Sequence, residues 1–362
     1  MREVEERYEV DNPVVGSRVS RDPAMTDVAR LAGVSHQTVS RVLNGHPNVR
    51  EQTRLRVRAA IDQLGYRPNK AARALVTGKS QLIGVIAQNS SLYGPASLLG
   101  AFETAAAEAG FTVSLRRVKV LDRESIASAV EHHRDTRVAG IVAIAPTASA
   151  AEALAEVPAG LPLVTVDGDP ARETPLVTVD QFAGAYEATK HLLDAGHPTV
   201  WHVSGPPDWF DSAGRVRGWQ HALAEAAAEE PPLVAADWSA ASGYKAGQML
   251  ARMPECTAVF AANDHLALGI LRAMYERDRR VPNDVSVVGF DDVPEAEYFI
   301  PPLTTMRPDF HAVARETLSL LLAQVSEVEV EEPHRTIAPE LVRRESVMHR
   351  LETLPGEGPL AG

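Results

Sequence analysis

The stretch TDVARLAGVSHQTVSRVLN, residues 26–44, predicts two short helices joined by a turn at Gly33. Apolar residues recur at helical spacing in its first half, and glycine suits the sharp turn between the halves. Ser35 comes just before the second helix, where its hydroxyl can cap the unpaired backbone amides of the first turn. The stretch therefore predicts a helix-turn-helix.

The second of these helices carries polar side chains on its outer face. Glutamine can pair with an adenine edge, and arginine with a guanine edge, through two hydrogen bonds each. Val39 and Val42 fall on the other face and are expected to pack against neighbouring helices. We therefore predict that the helix reads bases in the major groove through His36, Gln37 and Arg41. A surface helical hairpin with incidental polar residues is the alternative.

Charge is distributed unevenly along the chain. Residues 18–80 contain 12 Lys and Arg against 4 Asp and Glu, whereas residues 81–362 contain 22 against 39. A basic block at the front of an acidic chain is typical of a nucleic-acid-binding module joined to a body that avoids nucleic acid. This asymmetry favours the DNA-binding interpretation of residues 26–44 over the alternative.

Length and composition restrict the remaining possibilities. A chain of 362 residues exceeds one ordinary core, so we expect a small module and a larger body. The single Cys256 cannot form an intrachain disulfide, and no apolar run approaches the roughly 18 residues that span a bilayer. The acidic N-terminus has no apolar signal core, so we predict a cytoplasmic protein without a membrane partner.

The chain around the helix-turn-helix predicts a headpiece over residues 21–66. A third helix is expected over residues 51–64, with Leu55, Ala59, Ile61 and Leu64 on its core face. Residues 67–80, which begin RPNKAARAL, predict a hinge helix and linker too short to be stable alone. We expect residues 1–20 to be a disordered acidic extension and residues 349–362 a flexible tail.

From Leu82 onward, apolar runs alternate with amphipathic segments, which is typical of βα units and parallel sheets. So many strands predict two similar lobes with a cleft between them. Helices are predicted at residues 96–109, 125–133, 181–194, 212–228, 242–252, 264–277 and 310–324. Strands are predicted at residues 82–87, 111–115, 138–145, 162–166, 176–180, 199–204, 233–236, 257–263 and 285–290.

Polar residues follow several of the predicted strands. Ligands bind beyond the carboxyl ends of parallel strands, so these residues are expected to converge on a ligand. They are Asn89 to Tyr93, Pro146, Asp167, Asp180, Ser204, Asn263 and Asp291.

Several longer strings resemble the lactose/galactose repressor family of transcriptional regulators. They are VARLAGVSHQTVSRVLNG, YRPNKAARAL, DWSAASGYKAG, VFAANDHLALG, VSVVGFDD and IPPLTTMRPDF, and the resemblance covers about residues 22–348. It implies an all-α helix-turn-helix headpiece followed by an α/β, two-lobed, periplasmic-binding-protein-like effector domain. The implied N-lobe comprises about residues 81–180 and 307–340, and the C-lobe about residues 181–306 and 341–348.

The resemblance also implies partners and their contact residues. The partners are palindromic operator DNA, a small sugar effector and a second copy of the chain, with no cofactor and no metal. Beyond the base-reading side chains, Ser35, Thr38 and Asn44 are implied to contact phosphates, and Ala72 and Leu75 to contact DNA from the hinge. Leu75 is expected to wedge into a base step, the alternative being a buried contact within the hinge.

Between the lobes, the resemblance implies a sugar site. Carboxylates, an amide and a guanidinium can satisfy several hydroxyls at once, and an aromatic face suits the C–H side of a pyranose. The implied polar contacts are Asp167, Arg215, Asn263 and Asp291, Trp238 is the implied stacking residue, and Leu92, Tyr93, Pro95, Ala96 and Phe310 line the cleft.

The chain departs from the family's sugar-site pattern at Ile144, Val179 and in the loop that carries Trp209, Asp211 and Ala213. Because Trp209 can stack a second ring, we predict a disaccharide or short β-linked oligosaccharide that weakens DNA binding.

Without leucine heptads after Val347, we expect a dimer, with helices such as residues 96–109 at its interface. A purine-type, co-repressor-dependent regulator remains the first alternative. A sugar-binding protein or enzyme is less favoured because no nucleophile-elbow, Walker or HExxH motif is present.

Overall fold

The structure is a computed structural model that describes residues 23–43, 45–66, 80–157 and 160–350. Two compact units are separated between residues 78 and 79. Several predictions fall outside the described residues: the extension 1–20, nearly all of the hinge with Ala72 and Leu75, the end of the tail, and Asn44.

The first unit contains three described helices: α1 (Met25–Ala32), α2 (His36–Leu43) and α3 (Glu51–Leu64). Gly33, between α1 and α2, has a φ of 63°, a left-handed conformation that glycine adopts at little cost. Val28, Val39 and Val57 are fully buried at the centre of the unit. The predicted helix-turn-helix is confirmed.

The predicted core face of α3 was partly wrong. Leu55 is 57% exposed, whereas Val57 and Ala60 are buried. The buried face follows Val57, Ala60, Ile61 and Leu64, a helical spacing that places Leu55 and Ala59 on the opposite, solvent side.

Over the residues that the structure describes, the second unit is built from two six-stranded sheets with helices on both faces. Its helices are α4 (Tyr93–Glu108), α5 (Arg123–Asp135), α6 (Ala148–Ala155), α7 (Gln181–Asp194), α8 (Phe210–Glu225), α9 (Ala240–Leu250), α10 (Asp264–Glu276) and α11 (Phe310–Val325). Its strands are β1 (Leu82–Gln88), β2 (Thr112–Val118), β3 (Ile141–Ile144), β4 (Leu163–Val166), β5 (Leu176–Val179), β6 (Trp201–Ser204), β7 (Val234–Ala235), β8 (Ala258–Ala261), β9 (Ser286–Phe290), β10 (Thr304–Arg307), β11 (His334–Ile337) and β12 (Glu340–Val342).

The first sheet, with its helices, forms the N-lobe, and the second forms the C-lobe. The N-lobe order is β2-β1-β3-β4-β5-β11, and all of its pairs are parallel. The C-lobe order is β7-β6-β8-β9-β10-β12, in which only β12 runs antiparallel to its neighbour. The chain crosses between the lobes after β5, β10 and β11, so the cleft lies beside three connecting segments.

All nine predicted strands are present, although residues 233–236 contribute only the two-residue β7. The sequence did not predict α6, β10, β11 or β12. Among the helices described here, no apolar segment reaches the length that spanning a bilayer requires.

Candidate functional site

The outer face of α2 presents the side chains that were predicted to read DNA. His36, Gln37 and Arg41 are exposed, whereas Val39 is fully buried against the other helices. The Ser35 hydroxyl accepts a hydrogen bond from the Thr38 amide at 3.2 Å, so the predicted cap of α2 is confirmed. The contacts of these residues with DNA stay predictions.

In the second unit, a cavity of about 500 Å³, part of it open to solvent, lies at the carboxyl ends of the strands. We call it the central cavity. Every predicted effector residue except Ala96 lines this cavity, together with Gly94, Val179, Gln181 and Pro308. Ala96 lines a neighbouring cavity instead. The lining residues are Leu92, Tyr93, Gly94, Pro95, Asp167, Val179, Gln181, Trp209, Asp211, Arg215, Trp238, Asn263, Asp291, Pro308 and Phe310.

Arg215, on α8, is fixed by contacts on several sides. Its Nε donates to the Gln181 side-chain oxygen at 2.9 Å, and its Nη1 donates to the Ala262 carbonyl. Its guanidinium carbon lies 3.7 Å from the centroid of the Phe290 ring. The remaining nitrogen, Nη2, lies 3.8 Å from an Asp291 oxygen. These contacts therefore hold the guanidinium in one orientation, with its Nη2 side directed towards Asp291.

Three carboxyl groups surround this guanidinium. Burial raises the pKa of Asp291 to about 7, against the opposing charge of Arg215. Burial also raises the pKa of Asp167 well above its usual value, and the neighbouring Asp211 charge adds to the shift. The Asp211 pKa is raised by burial too, although Arg215 and Gln181 oppose the change. The cavity therefore offers several desolvated oxygen acceptors around one fixed cation.

Asn263 and Trp238 support each other in the C-lobe. The Asn263 side-chain oxygen caps α10 by accepting from the Leu266 amide at 2.7 Å, and its Nδ2 donates to the Trp238 carbonyl at 3.1 Å. A Cβ on Gly205 would overlap the Trp238 ring, so glycine is required beside it. The buried Trp238 Nε1 has no hydrogen-bond partner among the described residues. This donor is available to a ligand.

Aromatic rings line two sides of the central cavity. Trp209 meets Trp238 edge to face, with ring centroids 5.6 Å apart, and Tyr93 meets Phe310 in the same way at 6.3 Å. Asp167, Trp238 and Asp291 have positive φ angles of 54°, 72° and 109°. Such conformations are costly for non-glycine residues and are concentrated at ligand sites.

The two lobes are joined at the Trp209 side of the cavity. Thr147 of the N-lobe and Trp209 of the C-lobe form an isolated antiparallel bridge. The Phe210 amide donates to the Pro146 carbonyl at 2.9 Å, and the Ala148 amide donates to the Asp208 carbonyl at 3.2 Å. Trp209 is therefore positioned by both lobes.

The predicted strand-end residues do not all reach the cavity. The Asp180 carboxylate caps α7 by accepting from the Ala183 amide at 2.8 Å, and neither Asp180 nor Ser204 lines the cavity. Gln181, the next residue, lines it instead. Among the described residues, no cluster of three or more His, Cys, Asp or Glu is arranged to hold a metal ion.

A helix-turn-helix unit followed by a two-lobed body with a polar, aromatic-lined cleft defines the class of ligand-responsive transcription regulators. Residues 24–69 match the family described as bacterial regulatory proteins, lacI family, and residues 189–347 match the periplasmic binding protein-like domain.

Relatives match along nearly the whole chain. The chain is 33% identical to the lactose operon repressor of Escherichia coli K12, over 89% of this chain and 90% of the relative. It is also 33% identical to the HTH-type transcriptional regulator CelR of Thermobifida fusca, over 90% and 98%. Identity to the HTH-type transcriptional repressor PurR of Vibrio atlanticus is 32%, over 89% and 97%.

Solved structures of proteins from the same family are similar to this chain over nearly its whole length. The Lac repressor dimer bound to operator and the anti-inducer ONPF superposes with a TM-score of 0.82 at 31% identity, over 91% of this chain and all of that one. The CelR–cellobiose complex has a TM-score of 0.66 at 30% identity, over 90% and 99%. The chain belongs to the LacI family of bacterial regulatory proteins. The predicted fold class is confirmed, as is the prediction of a regulator rather than an enzyme.

Proposed function

We propose that this protein is a cytoplasmic, homodimeric transcriptional repressor that binds palindromic operator DNA and is released by a saccharide held in the central cavity. The observation that carries the proposal is the pairing, in one chain, of an exposed polar face on α2 with a buried set of carboxylate, guanidinium and tryptophan side chains between the lobes.

The chemistry of the cavity favours a polyhydroxylated ligand. Asp167, Asp211 and Asp291 supply hydrogen-bond acceptors. Arg215 supplies donors, as does Trp238 Nε1, which no other group in the described part of the chain engages. Sugar hydroxyls both donate and accept, and pyranose C–H faces pack on aromatic rings. Most of these groups already have a fixed orientation, so little further ordering opposes binding.

In the proposed mechanism, two headpieces and their hinges bind the two halves of an operator, and the saccharide stabilises a body conformation that disfavours this arrangement. A useful switch requires a coupling free energy of about 1–3 kcal/mol between the two sites.

The expectation that α4 contributes to the dimer interface stays a prediction. Its large side chains Leu98, Leu99 and Phe102 are buried in the N-lobe, so any interface would use the small and polar residues of its outer face.

Two measurements test this proposal. Selection of bound duplexes from random DNA should yield a two-fold symmetric site. Thermal shift against galactosides, β-glucosides, xylo- and cello-oligosaccharides and purines should identify the ligand class, since saturation at 100-fold over Kd adds about 2.7 kcal/mol. Stabilisation by purines alone would replace the saccharide proposal with co-repression, the alternative that the PurR-type relatives favour.

A further inference from the structure

Asp264, the first residue of α10, carries a buried carboxyl group that does not line the central cavity. The residue is fully buried, and burial raises the pKa of its carboxyl group well above the usual value, with a further increase from the charge of Asp291. Burying a carboxyl group is costly unless hydrogen bonds compensate for the lost water. The hydrogen bonds of Asp264 therefore indicate what this group holds in place.

Both oxygens of Asp264 accept hydrogen bonds. Oδ2 accepts from the Val293 amide at 2.8 Å, and Oδ1 accepts from the Thr305 hydroxyl at 2.5 Å. A Cβ on Gly289 would overlap Oδ1, so the glycine leaves the room that the carboxyl group needs. Val293 lies two residues after Asp291, and Thr305 is the second residue of β10. The carboxyl group therefore joins the start of α10 to the loop that carries Asp291.

That loop, residues 291–293, has a backbone that needs support. Asp291 and Asp292 have φ angles of 109° and 49°, which are costly for residues other than glycine. Such conformations persist only where the surrounding contacts over-determine them. The Asp291 amide donates to the Met306 carbonyl at 2.8 Å, and the Asp264 carboxyl group holds the other end of the loop. The conformation of Asp291 thus depends on both anchors.

The same carboxyl group lies between two polar residues of the central cavity. Asn263, immediately before Asp264, caps α10 and donates to the Trp238 carbonyl at 3.1 Å. Asp291 lies at the end of the loop that Asp264 anchors. We propose that Asp264 is a positioning residue of the effector site, which holds Asn263 and Asp291 at the spacing that the ligand requires without touching the ligand itself. This inference rests on the proposed saccharide response.

Calorimetric titration of the full-length protein with cellobiose, lactose and xylobiose tests the inference. Thr305→Val keeps the shape of a buried side chain but removes the hydroxyl that holds Asp264, and it should weaken saccharide binding about tenfold. Thr305→Ser keeps the hydroxyl and should bind within about twofold of the wild type. Asp264→Asn places an amide N–H group against a donor, because an amide has only one acceptor oxygen, and should weaken binding at least about tenfold.

Ser346→Ala is the control for a general loss of stability. The Ser346 hydroxyl is fully buried, donates to the Val287 carbonyl at 2.6 Å and accepts from the Thr304 amide at 2.8 Å. These contacts lie near the amino ends of β9 and β10, at the opposite end of the sheet from the central cavity. Ser346→Ala should therefore lower the free energy of unfolding, as Thr305→Val does, but leave saccharide affinity unchanged.

The outcomes separate the inference from the proposed function. Wild-type saccharide affinity in Thr305→Val would refute the positioning role, even if Asp264→Asn fails to fold. An equal loss of affinity in Ser346→Ala or in Thr305→Ser would also refute it, because the effect would then follow lobe stability or packing rather than the hydroxyl contact. In each of these cases the saccharide response of the wild type would stand. Absence of saccharide binding by the wild type would instead overturn the proposed function, and the inference with it.

Discussion

Nη2 of Arg215 lies 3.8 Å from Oδ1 of Asp291, although both side chains are more than nine-tenths buried. That distance is too long for a tight charge-assisted hydrogen bond, which would be nearer 2.8 Å. Arg215 donates its other nitrogens to Gln181 and Ala262, and both Arg215 and Asp291 line the central cavity. A ligand hydroxyl that accepts from Arg215 and donates to Asp291 would satisfy both groups.

Replacement of Asp291 by asparagine should therefore impair the ligand response without affecting DNA binding. The change keeps the shape but removes the charged acceptor, and we expect saccharide affinity to fall about 10- to 100-fold, for a loss of about 1.5–3 kcal/mol. Calorimetry measures the loss, and Asp194→Asn, on an exposed part of α7, is the control. Normal saccharide affinity in Asp291→Asn would place the ligand elsewhere.

Gln181 should prove to be a positioning residue. Its side-chain oxygen accepts from Arg215 Nε at 2.9 Å, and the residue is only 8% exposed. Gln181→Leu should free the guanidinium from this orientation and weaken saccharide binding about tenfold, close to the value of one hydrogen bond to a charged group. Operator affinity in the absence of saccharide should stay unchanged. Equal saccharide affinity in the variant and the wild type would show that Arg215 is held adequately by its other contacts.

Saccharide affinity should depend on pH. Asp291 has a pKa raised to about 7 by burial, so below that pH its carboxyl holds a proton that hydroxyl donors must displace. Affinity should fall as pH decreases below 7, by at most about tenfold per pH unit for one proton, and the raised pKa values of Asp167 and Asp211 act in the same direction. Titration at pH 6 in two buffers of different ionisation enthalpy should reveal proton release. Proton uptake would mean that the ligand binds the protonated carboxyls.

His197 should contribute to acid sensitivity. Burial lowers its pKa to about 4, and its ring nitrogens lie 3.0 Å from the Thr257 hydroxyl and 2.9 Å from the Ser286 hydroxyl. A depressed histidine pKa supports folding fully above the unfolded value near 6.5, and this contribution is lost as pH falls towards 4. The loss is up to about 3 kcal/mol. Denaturant unfolding at pH 7.5 and pH 5 should show a smaller decrease in stability for His197→Gln than for the wild type, and equal decreases would refute this role.

In the headpiece, Arg41→Ala should weaken specific operator binding by about 1–3 kcal/mol, the value of a bidentate contact with guanine. Arg58→Ala, also exposed but on α3, removes the same charge from a different helix and should have a smaller effect. Fluorescence anisotropy with the selected operator and with random duplex separates the two contributions. A loss that is equal on both duplexes would make Arg41 a phosphate contact.

Helices and strands with a strong apolar periodicity were predicted from the sequence. Those stabilised by residues distant along the chain were missed. Strand β10 contains buried threonines, and Thr305 donates to the Asp264 carboxylate from 41 residues away. Strands β11 and β12 are short edge strands without an apolar run, so no local pattern indicates them. Helix α6 is rich in alanine and only weakly amphipathic.

The same distinction applies to the candidate site. Residues that follow strong strands, such as Asp167, Asn263 and Asp291, were predicted to converge and do line one cavity. Gln181 was missed because its importance depends on Arg215, which is 34 residues further along the chain. Asp180 was expected at the ligand end of β5, but a local cap at the start of α7 uses its carboxylate. Local sequence does not reveal which of two neighbouring polar side chains turns inward.

In the proposed mechanism, saccharide binding in the body releases the headpieces from DNA. The most direct test is anisotropy of a labelled, selected operator titrated with the saccharide that stabilises the protein, in the wild type and in Asp291→Asn. Saccharide should weaken wild-type operator affinity at least about fivefold, for a coupling of about 1 kcal/mol or more, and should have no such effect on the variant. Operator affinity that is unchanged or strengthened by the bound saccharide in the wild type would contradict it.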